Sequence, residues 1–330
     1  MALRQTDGKI LLIKTKKNEG IALIIVLWVM VMLTAIVGEF AYSMRIELNI
    51  ARNFKEEEEA YQLALAGIEQ AKMEILSIKE SAYPSPFFNK NGILVFEQGQ
   101  EEKDPEREGV FKNGKFSYAI IDEDGKLNIN TASQEQIKYV IANSGMEIKE
   151  IDTVIDSIMD WKDTDNLHRL NGAEEEYYLS LKKPYSCKDM PFEITEELLL
   201  VKGMTGEIFF GSEGNEEKPK YNGIIQYLSA KNSTHININT APQVVLEAYF
   251  GIPAAANFIG QRKTMPILAP AGMGIIKSFY FTIISTGSNR DGTIKRTVKT
   301  IVHKNGDKLE NIYWNDNWIE NTSQGKEQNV

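Results

Sequence analysis

The stretch that decides the fold of this chain is Gly20–Gly38, GIALIIVLWVMVMLTAIVG. Its nineteen residues carry no charge. At about 1.5 Å of rise per residue, a helix of this length can cross the hydrocarbon core of a bilayer, which is about 30 Å thick. Five basic and two acidic residues lie at positions 1–20. This excess of positive charge predicts that the N-terminus stays in the cytoplasm and that the rest of the chain is exported.

Beyond Gly38 the sequence continues in a helical pattern. No proline or cluster of turn residues interrupts Phe40 to Lys79, and the isolated Gly67 costs only about 1 kcal/mol relative to alanine. A signal peptide would instead end its apolar region in small residues and a cleavage site. We therefore predict one helix over residues 21 to about 78, rather than a signal peptide or a plain anchor. Its outer half has an apolar face for packing on a soluble domain, formed by Tyr61, Ala64, Leu65, Ile68, Ala71 and Ile75.

A membrane helix fused to an amphipathic helix is typical of type IV pilins and pseudopilins. Gly20 and Ile21, after a short basic leader, resemble a prepilin peptidase site, which implies cleavage after Gly20. Most such proteins carry Glu at the fifth mature position, whereas this chain has Ile25 there, as K-type minor pseudopilins of type II secretion systems do. The resemblance to this family extends over ARN at 51–53, AxAGxE at 64–69, DEDGKLNINTA at 122–132, the acidic stretch at 160–178, EELLLVKGM at 196–204 and NINTAP at 237–242.

Three segments alternate like β-strands, at 115–121, 280–286 and 293–303. We expect them to form an antiparallel sheet that covers the long helix. The predicted fold class is α+β, a pilin-like N-terminal helix on a small sheet with a large all-helical insertion. The predicted domains are a leader at 1–20, a transmembrane helix at 21–43, an α/β domain at 44–125 and 275–305, an inserted helical domain at 126–274 and a polar tail at 306–330.

The insertion contains a repeat. KLNINTAS at 126–133 is echoed by HININTAP at 235–242, an offset of 109 residues. Each copy leads into an apolar helix, a glycine (Gly145 or Gly251) and a second helix. The threonine of each copy is a predicted helix N-cap. We expect His235 and the asparagines of both copies to satisfy backbone groups near these helix starts, namely Asn128, Asn130, Asn237 and Asn239.

The repeats resemble a doubled helix-hairpin-helix module, a type that often grips DNA phosphates. Such a module needs nearby Lys or Arg. The first copy is acidic, and the second offers only Arg262 and Lys263. The net charge of −9 becomes −12 once the leader, with its five basic and two acidic residues, is removed, and this charge repels nucleic acid. We therefore favour a structural or protein-binding role for the repeats and expect no nucleic acid partner.

Residues 160–178 combine the largest variety of potential ligand side chains, with acidic residues, asparagines and a histidine between the two repeat copies, and oxygen ligands that converge from a loop are what Ca²⁺ requires. The spacing does not match an EF-hand, and the chemistry alone is equally consistent with a solvated acidic loop. K-type pseudopilins are known for calcium in their helical domain, so the resemblance implies a calcium site. The predicted ligands are Asp163, Asp165, Asn171, Glu174 and Glu175. No nucleophile, phosphate loop or His–Cys metal set accompanies them, so an enzyme is not expected.

The resemblance implies a mechanical function. A K-type minor pseudopilin caps the tip of the pseudopilus, initiates the fibre with the I- and J-type minor pseudopilins, and supports protein export. Its other partners would be the major pseudopilin and the prepilin peptidase. It would lie in the bacterial inner membrane as a single-pass protein with most of the chain in the periplasm. The alternatives are a membrane-anchored DNA-uptake receptor that uses the hairpins and a membrane-bound hydrolase that uses the acidic stretch.

Overall fold

The computed structural model describes residues 19–77, 83–214 and 219–319. The predicted leader lies outside these ranges up to Asn18, and so do residues 320–330 of the predicted tail. The chain divides into two compact units, Met1–Glu56 and Glu57–Val330.

The first unit consists, among its described residues, of helix α1 (Glu19–Leu76), which continues into the second unit. From Ile21 to Ile50 every side chain is exposed, including Trp28 and all the apolar residues around it. The mean hydropathy of its most apolar window is 2.9, and the helix is long enough to cross a bilayer. The sequence prediction of one long helix is confirmed, and its apolar part is a candidate membrane anchor.

The second unit contains a five-stranded antiparallel sheet in the order β11-β10-β9-β4-β3. The three strands predicted from the sequence are adjacent in this sheet, so this part of the fold prediction is confirmed. The outer strands β3 and β11 were not predicted, and β11 lies in the predicted polar tail. The strands are β3 (Glu108–Phe111), β4 (Gly114–Asp122), β9 (Tyr280–Asn289), β10 (Lys295–Asn305) and β11 (Lys308–Asn315), preceded by a short hairpin of β1 (Phe87–Phe88) and β2 (Leu94–Val95).

Alternation along the strands explains how this sheet packs on the second-unit part of α1. Every second residue of β4 is buried, as a strand with one covered face requires. Gly287 of β9 gives the closest approach between helix and sheet, because a Cβ there would lie 2.0 Å from the carbonyl oxygen of Ala60. The buried residues of this interface are Ala64, Ile68, Ala71, Ile75, Phe116, Tyr118, Ile120, Phe281, Ile283, Val298 and Val302, with Leu94 and Phe96 beside them.

Gly287→Ala is expected to destabilise the chain by about 1–3 kcal/mol, because the added methyl group must push α1 away from the sheet. The measurement is denaturant unfolding of the full chain in detergent. Gly260→Ala is the matched control, since a Cβ at this exposed helical position meets nothing within 4 Å. The control should be neutral or slightly stabilising, as alanine favours a helix more than glycine does. Equal stability of the two variants would contradict this close approach.

The predicted insertion forms a second hydrophobic core. Two helix pairs dominate it, and each pair is joined at a glycine in the left-handed region, Gly145 with φ of 87° and Gly251 with φ of 77°. The helices are α2 (Gln134–Ala142), α3 (Ile148–Lys162), α4 (Glu175–Leu179), α5 (Gly206–Phe210), α6 (Gln243–Phe250) and α7 (Ile252–Arg262). Among the described residues, the 3-10 helices Thr195–Leu200 and Ile225–Tyr227 accompany them, and the 3-10 helix Glu123–Gly125 lies just before the insertion.

The two repeat copies begin alike. Each starts with a short parallel strand pair, β5 (Leu127–Asn128) with β6 (Leu228–Ser229) and β7 (Ile236–Asn237) with β8 (Gly274–Ile275). The backbone N–H of Asn130 donates to Asn128 Oδ1, and that of Asn239 donates to Asn237 Oδ1, both at 2.9 Å. The predicted role is confirmed for Asn128 and Asn237, whereas the side chains of Asn130 and Asn239 bond the backbone of distant residues, Phe192 and Ile267. The assignment of the helix pairs as helix-hairpin-helix modules stays a prediction.

The predicted threonine N-caps are wrong. Ser133 caps α2 in a capping box with Gln136, and Pro242 occupies the N-cap position of α6. Thr131 lies before the start of α2. The hydroxyl of Thr240 instead donates to Asp122 Oδ2 at 2.5 Å. Thr240 is itself buried, and its hydroxyl joins the second repeat to Asp122 of the sheet.

Candidate cation site

The candidate site lies at the end of α3 and in the loop that follows it. Asp160 is completely buried in the last turn of α3, and Asp163 is the residue that ends the helix. The loop returns to the helix at Arg169, whose backbone N–H donates to Asp160 Oδ2 at 3.0 Å. Gly172 then passes so close that a Cβ would lie 1.8 Å from Asp160 Oδ2. The loop is therefore closed on the helix end, and its acidic residues are brought together.

Carboxylates converge at this loop from three segments. Asp163, Asp165 and Glu174 each place one carboxylate oxygen within 4.8 Å of the others. Glu174 also belongs to a second group, in which its oxygen, the sulfur of Cys187 and an oxygen of Asp189 lie within 4.8 Å of one another. Glu174 is therefore the residue that the two groups share.

Several of these oxygens are buried and have at most the weak thiol donor of Cys187 nearby. Among the described residues, no N–H or O–H group lies in hydrogen-bonding geometry to Asp163 Oδ1, to either carboxylate oxygen of Glu174, or to Asp189 Oδ1. Burial, together with the charges of Asp160, Asp163 and Asp189, raises the pKa of Glu174 to about 7. Burying an ionised carboxylate without a hydrogen-bond donor or a cation costs free energy. A bound cation would supply the positive charge that these carboxylates need.

The residues present fit a hard divalent cation. Calcium binds six to eight oxygens at about 2.3–2.6 Å, so its ligands lie within about 5 Å of one another. The three oxygens of Asp163, Asp165 and Glu174 satisfy this spacing. The thiol of Cys187 is a soft donor and suits calcium poorly. Burial raises its pKa to about 12, which keeps it protonated.

Three of the five predicted ligands converge in the structure, and the other two have different hydrogen-bond partners. It brings Asp163, Asp165 and Glu174 together. The side-chain amide of Asn171 instead donates to Asp156 Oδ2 at 3.1 Å, and Glu175 Oε2 accepts from the backbone N–H of Cys187 at 2.6 Å. The ligand set as a whole stays a prediction.

Sequence reasoning missed one carboxylate of this cluster, Asp189. It follows the 160–178 stretch by more than ten residues, and it adopts the left-handed region with φ of 50°. Such a φ is uncommon outside glycine and is itself a signal that the backbone is held there for a reason, but it is visible only in the structure.

The basic residue at the end of each helix pair, Lys162 in the first and Arg262 in the second, donates to backbone carbonyls of its own repeat. Lys162 Nζ, at the end of α3, donates to the carbonyl of Ile129 at 3.2 Å. Arg262 Nη1, at the end of α7, donates to the carbonyls of Ile238 and Ala241 at 3.1 and 2.7 Å. Burial lowers the pKa of both side chains. Each cation thus ties the second helix of a pair to the start of its own repeat, and Arg262 is turned away from any phosphate outside.

The comparisons with known proteins bear on the same region. Residues 116–210, which run from β4 to α5 and include the whole acidic cluster, match the first-domain family model of type II secretion system protein K. The resemblance to protein K is thereby confirmed. A protein K relative from Escherichia coli K12 is 24% identical over 230 residues, which cover 68% of this chain and 65% of the relative. Protein K of Klebsiella pneumoniae is 23% identical over 191 residues, or 52% of this chain and 54% of that protein. This chain thus spans about two thirds or less of those relatives' lengths.

A solved structure supports the fold. A chain of the GspK-GspI-GspJ complex from the type 2 secretion system of enterotoxigenic Escherichia coli matches with a TM-score of 0.54 and 16% identity. The match covers 84% of this chain and all of that one. It confirms the α+β architecture of long helix, antiparallel sheet and helical region. The protein K family is a structural component of a secretion system rather than a known enzyme family, and the comparisons do not support the DNA-uptake alternative.

Proposed function

We propose that this chain is a minor pseudopilin that caps the tip of a type II secretion pseudopilus. The observation that carries the proposal is the combination of a pilin-like helix and sheet with a large helical insertion, over a chain that matches protein K along most of its length. We propose two functional domains. One is the α/β domain of residues 44–125 and 275–305, and the other is the helical insertion of residues 126–274. The insertion supplies bulk that a further subunit would have to displace.

The N-terminal segment is the part that enters the fibre. In this proposal the prepilin peptidase cleaves after Gly20, Ile21 becomes the N-terminus, and residues 21–43 cross the inner membrane with most of the chain in the periplasm. A charge in hydrocarbon is costly unless it is paired, so a Glu at the fifth mature position can serve a neighbour's N-terminal amine. Ile25 cannot pair in this way. Its absence of charge is consistent with a last subunit that has the major pseudopilin only below it.

Calcium belongs to this proposal as a structural ion. Asp163, Asp165 and Glu174 would hold it, with Asp189 near enough to Glu174 to take part. The bound ion would neutralise buried carboxylates and fix the loop after α3. The unpartnered buried oxygens of this cluster support the assignment.

The partners follow from the same reasoning. The solved neighbour is named as a GspK-GspI-GspJ complex. We expect the full chain, purified in detergent with calcium, to copurify with the I- and J-type minor pseudopilins of the same genome and to initiate fibres with them. A label on its insertion should mark one end of each fibre. A label distributed along the shaft, or no copurification with either partner, would contradict the proposal.

A further inference from the structure

Arg169 occupies a special place beside the acidic cluster. Its Nη1 donates to Asp160 Oδ1 at 2.5 Å and to Asp163 Oδ2 at 2.7 Å. In the described chain, it is the cation that forms ion pairs with these two carboxylates. One nitrogen therefore bridges a fully buried aspartate in α3 and the aspartate that ends the helix. The arginine itself belongs to the loop, so this bridge fastens the loop to the helix.

Because of this bridge, the two carboxylate oxygens of Asp163 have different surroundings. Oδ2 is taken by Arg169, whereas Oδ1 is buried and has no N–H or O–H donor among the described residues. Asp163 is also one of the three residues whose oxygens converge with Asp165 and Glu174. Oδ1 is thus the oxygen that remains for a cation, and Arg169 determines where it lies.

Backbone contacts make the fastening broader than one ion pair. The backbone N–H of Arg169 donates to Asp160 Oδ2, and the backbone N–H of Asn171 donates to Asp156 Oδ2 at 3.1 Å. The loop therefore hangs on two aspartates of α3 that are not themselves in the converging group. Holding a ligand by a neighbour of this kind typically changes metal affinity by about 10–100-fold.

Two effects of Arg169 on a bound cation oppose each other. Its charge repels a cation, while its hydrogen bonds hold the loop and Asp163 in place before the cation arrives. The Arg169 side chain is 39% exposed. Solvent therefore screens much of its charge, whereas its geometric effect on the buried Asp160 is not screened. The organising effect should dominate.

We propose that Arg169 is a positioning residue that clamps the loop of residues 163–172 closed in the metal-free chain and presents Asp163 Oδ1 to the cation. This inference rests on the proposed cation site and adds the residue that prepares it.

The test compares the wild-type full chain in detergent with Arg169→Gln, Arg169→Lys and a control, Lys138→Gln. Lys138 pairs with Asp152 at 2.5 Å in the same helical region, with both side chains nearly half exposed. Amide hydrogen exchange in excess chelator measures the clamp, and calcium titration by calorimetry measures its consequence. In Arg169→Gln, the amides of Arg169's position and of Asn171 should exchange faster without metal, and calcium affinity should fall by about 10-fold or more. Arg169→Lys, which keeps the charge on a shorter side chain, should lie between.

Two results would overturn the inference. One is calcium affinity in Arg169→Gln equal to or above that of the wild type, which would make Arg169 a competitor or a bystander. The other is unchanged exchange of the loop amides in chelator. If the wild type binds no calcium at all, the proposed cation function fails, and the exchange comparison in chelator still decides whether Arg169 clamps the loop.

Discussion

Replacing Asp122 by alanine is expected to lower the free energy of unfolding by about 3–5 kcal/mol, because it removes a buried carboxylate that accepts from three buried side chains and leaves the Ser278 hydroxyl without its acceptor. Asp122 Oδ2 accepts from the hydroxyl of Thr240 at 2.5 Å, from the hydroxyl of Ser278 at 2.7 Å and from the amide of Asn237 at 3.2 Å. All of these partners are buried. Thr240 and Asn237 come from the second repeat and Ser278 from the segment just before β9, so the carboxylate joins the sheet to the insertion.

The measurement is denaturant unfolding of the full chain, with hydrogen exchange to locate the damage. The amides of Phe279 and Tyr280, which donate to the neighbouring Asp124 Oδ2 at 2.6 and 3.2 Å, should lose protection together with the second repeat. Asp291→Ala, at an exposed turn of the same sheet, is the control and should cost less than about 1 kcal/mol. Similar losses of unfolding free energy in the two variants would show that Asp122 does not connect the sheet to the insertion.

The sequence predicts the elements whose apolar residues repeat with a regular short spacing. The long helix and the strands β4, β9 and β10 follow from spacing of 3.6 and 2, because one face of each is buried. Strand β11 was not predicted because it has no regular alternation of buried and exposed residues. Of its eight residues only Leu309 packs against the core of the sheet, and most of the others are exposed. The two-residue parallel pairs of the repeats are too short to leave any periodic signal.

Long-range polar contacts were not legible. Asp122, Glu123 and Asp124 resemble a solvated acidic turn in sequence, yet all three are buried. Each of them has a partner more than one hundred residues away, as in the contact of Asp124 Oδ1 with the backbone N–H of Ser233 at 2.7 Å. At the candidate site the sequence similarly indicated the acidic stretch. It could not show that Asn171 turns to Asp156 or that Asp189 joins Glu174, because chain folding decides both.

Calcium is expected to raise the free energy of unfolding of the wild-type chain, and Glu174→Gln is expected to abolish that gain. By mass action, an ion at about 100 times its dissociation constant stabilises the folded state by about 2.7 kcal/mol. Glu174 is the residue shared by both converging groups, and a neutral amide there offers one poorer oxygen in place of a carboxylate. The measurement is denaturant unfolding of the full chain with calcium and with chelator, using as the control Glu176→Gln, an exposed residue of the helix α4 that Glu174 precedes.

The sign of the effect without metal is what separates an ion-binding role from a structural one. In chelator, the pKa of Glu174 is about 7 in the folded chain, above its ordinary value of 4.5. The folded state therefore binds the extra proton, so this contribution to stability is present at pH below 4.5 and declines as the pH rises through about 7. Gln is neutral throughout, so the variant should lose this decline and be more stable than the wild type in chelator at pH 8, although it is less stable in calcium. If Glu174 only packed, Glu174→Gln would lower the free energy of unfolding by the same amount in calcium and in chelator. That result would exclude the cation site.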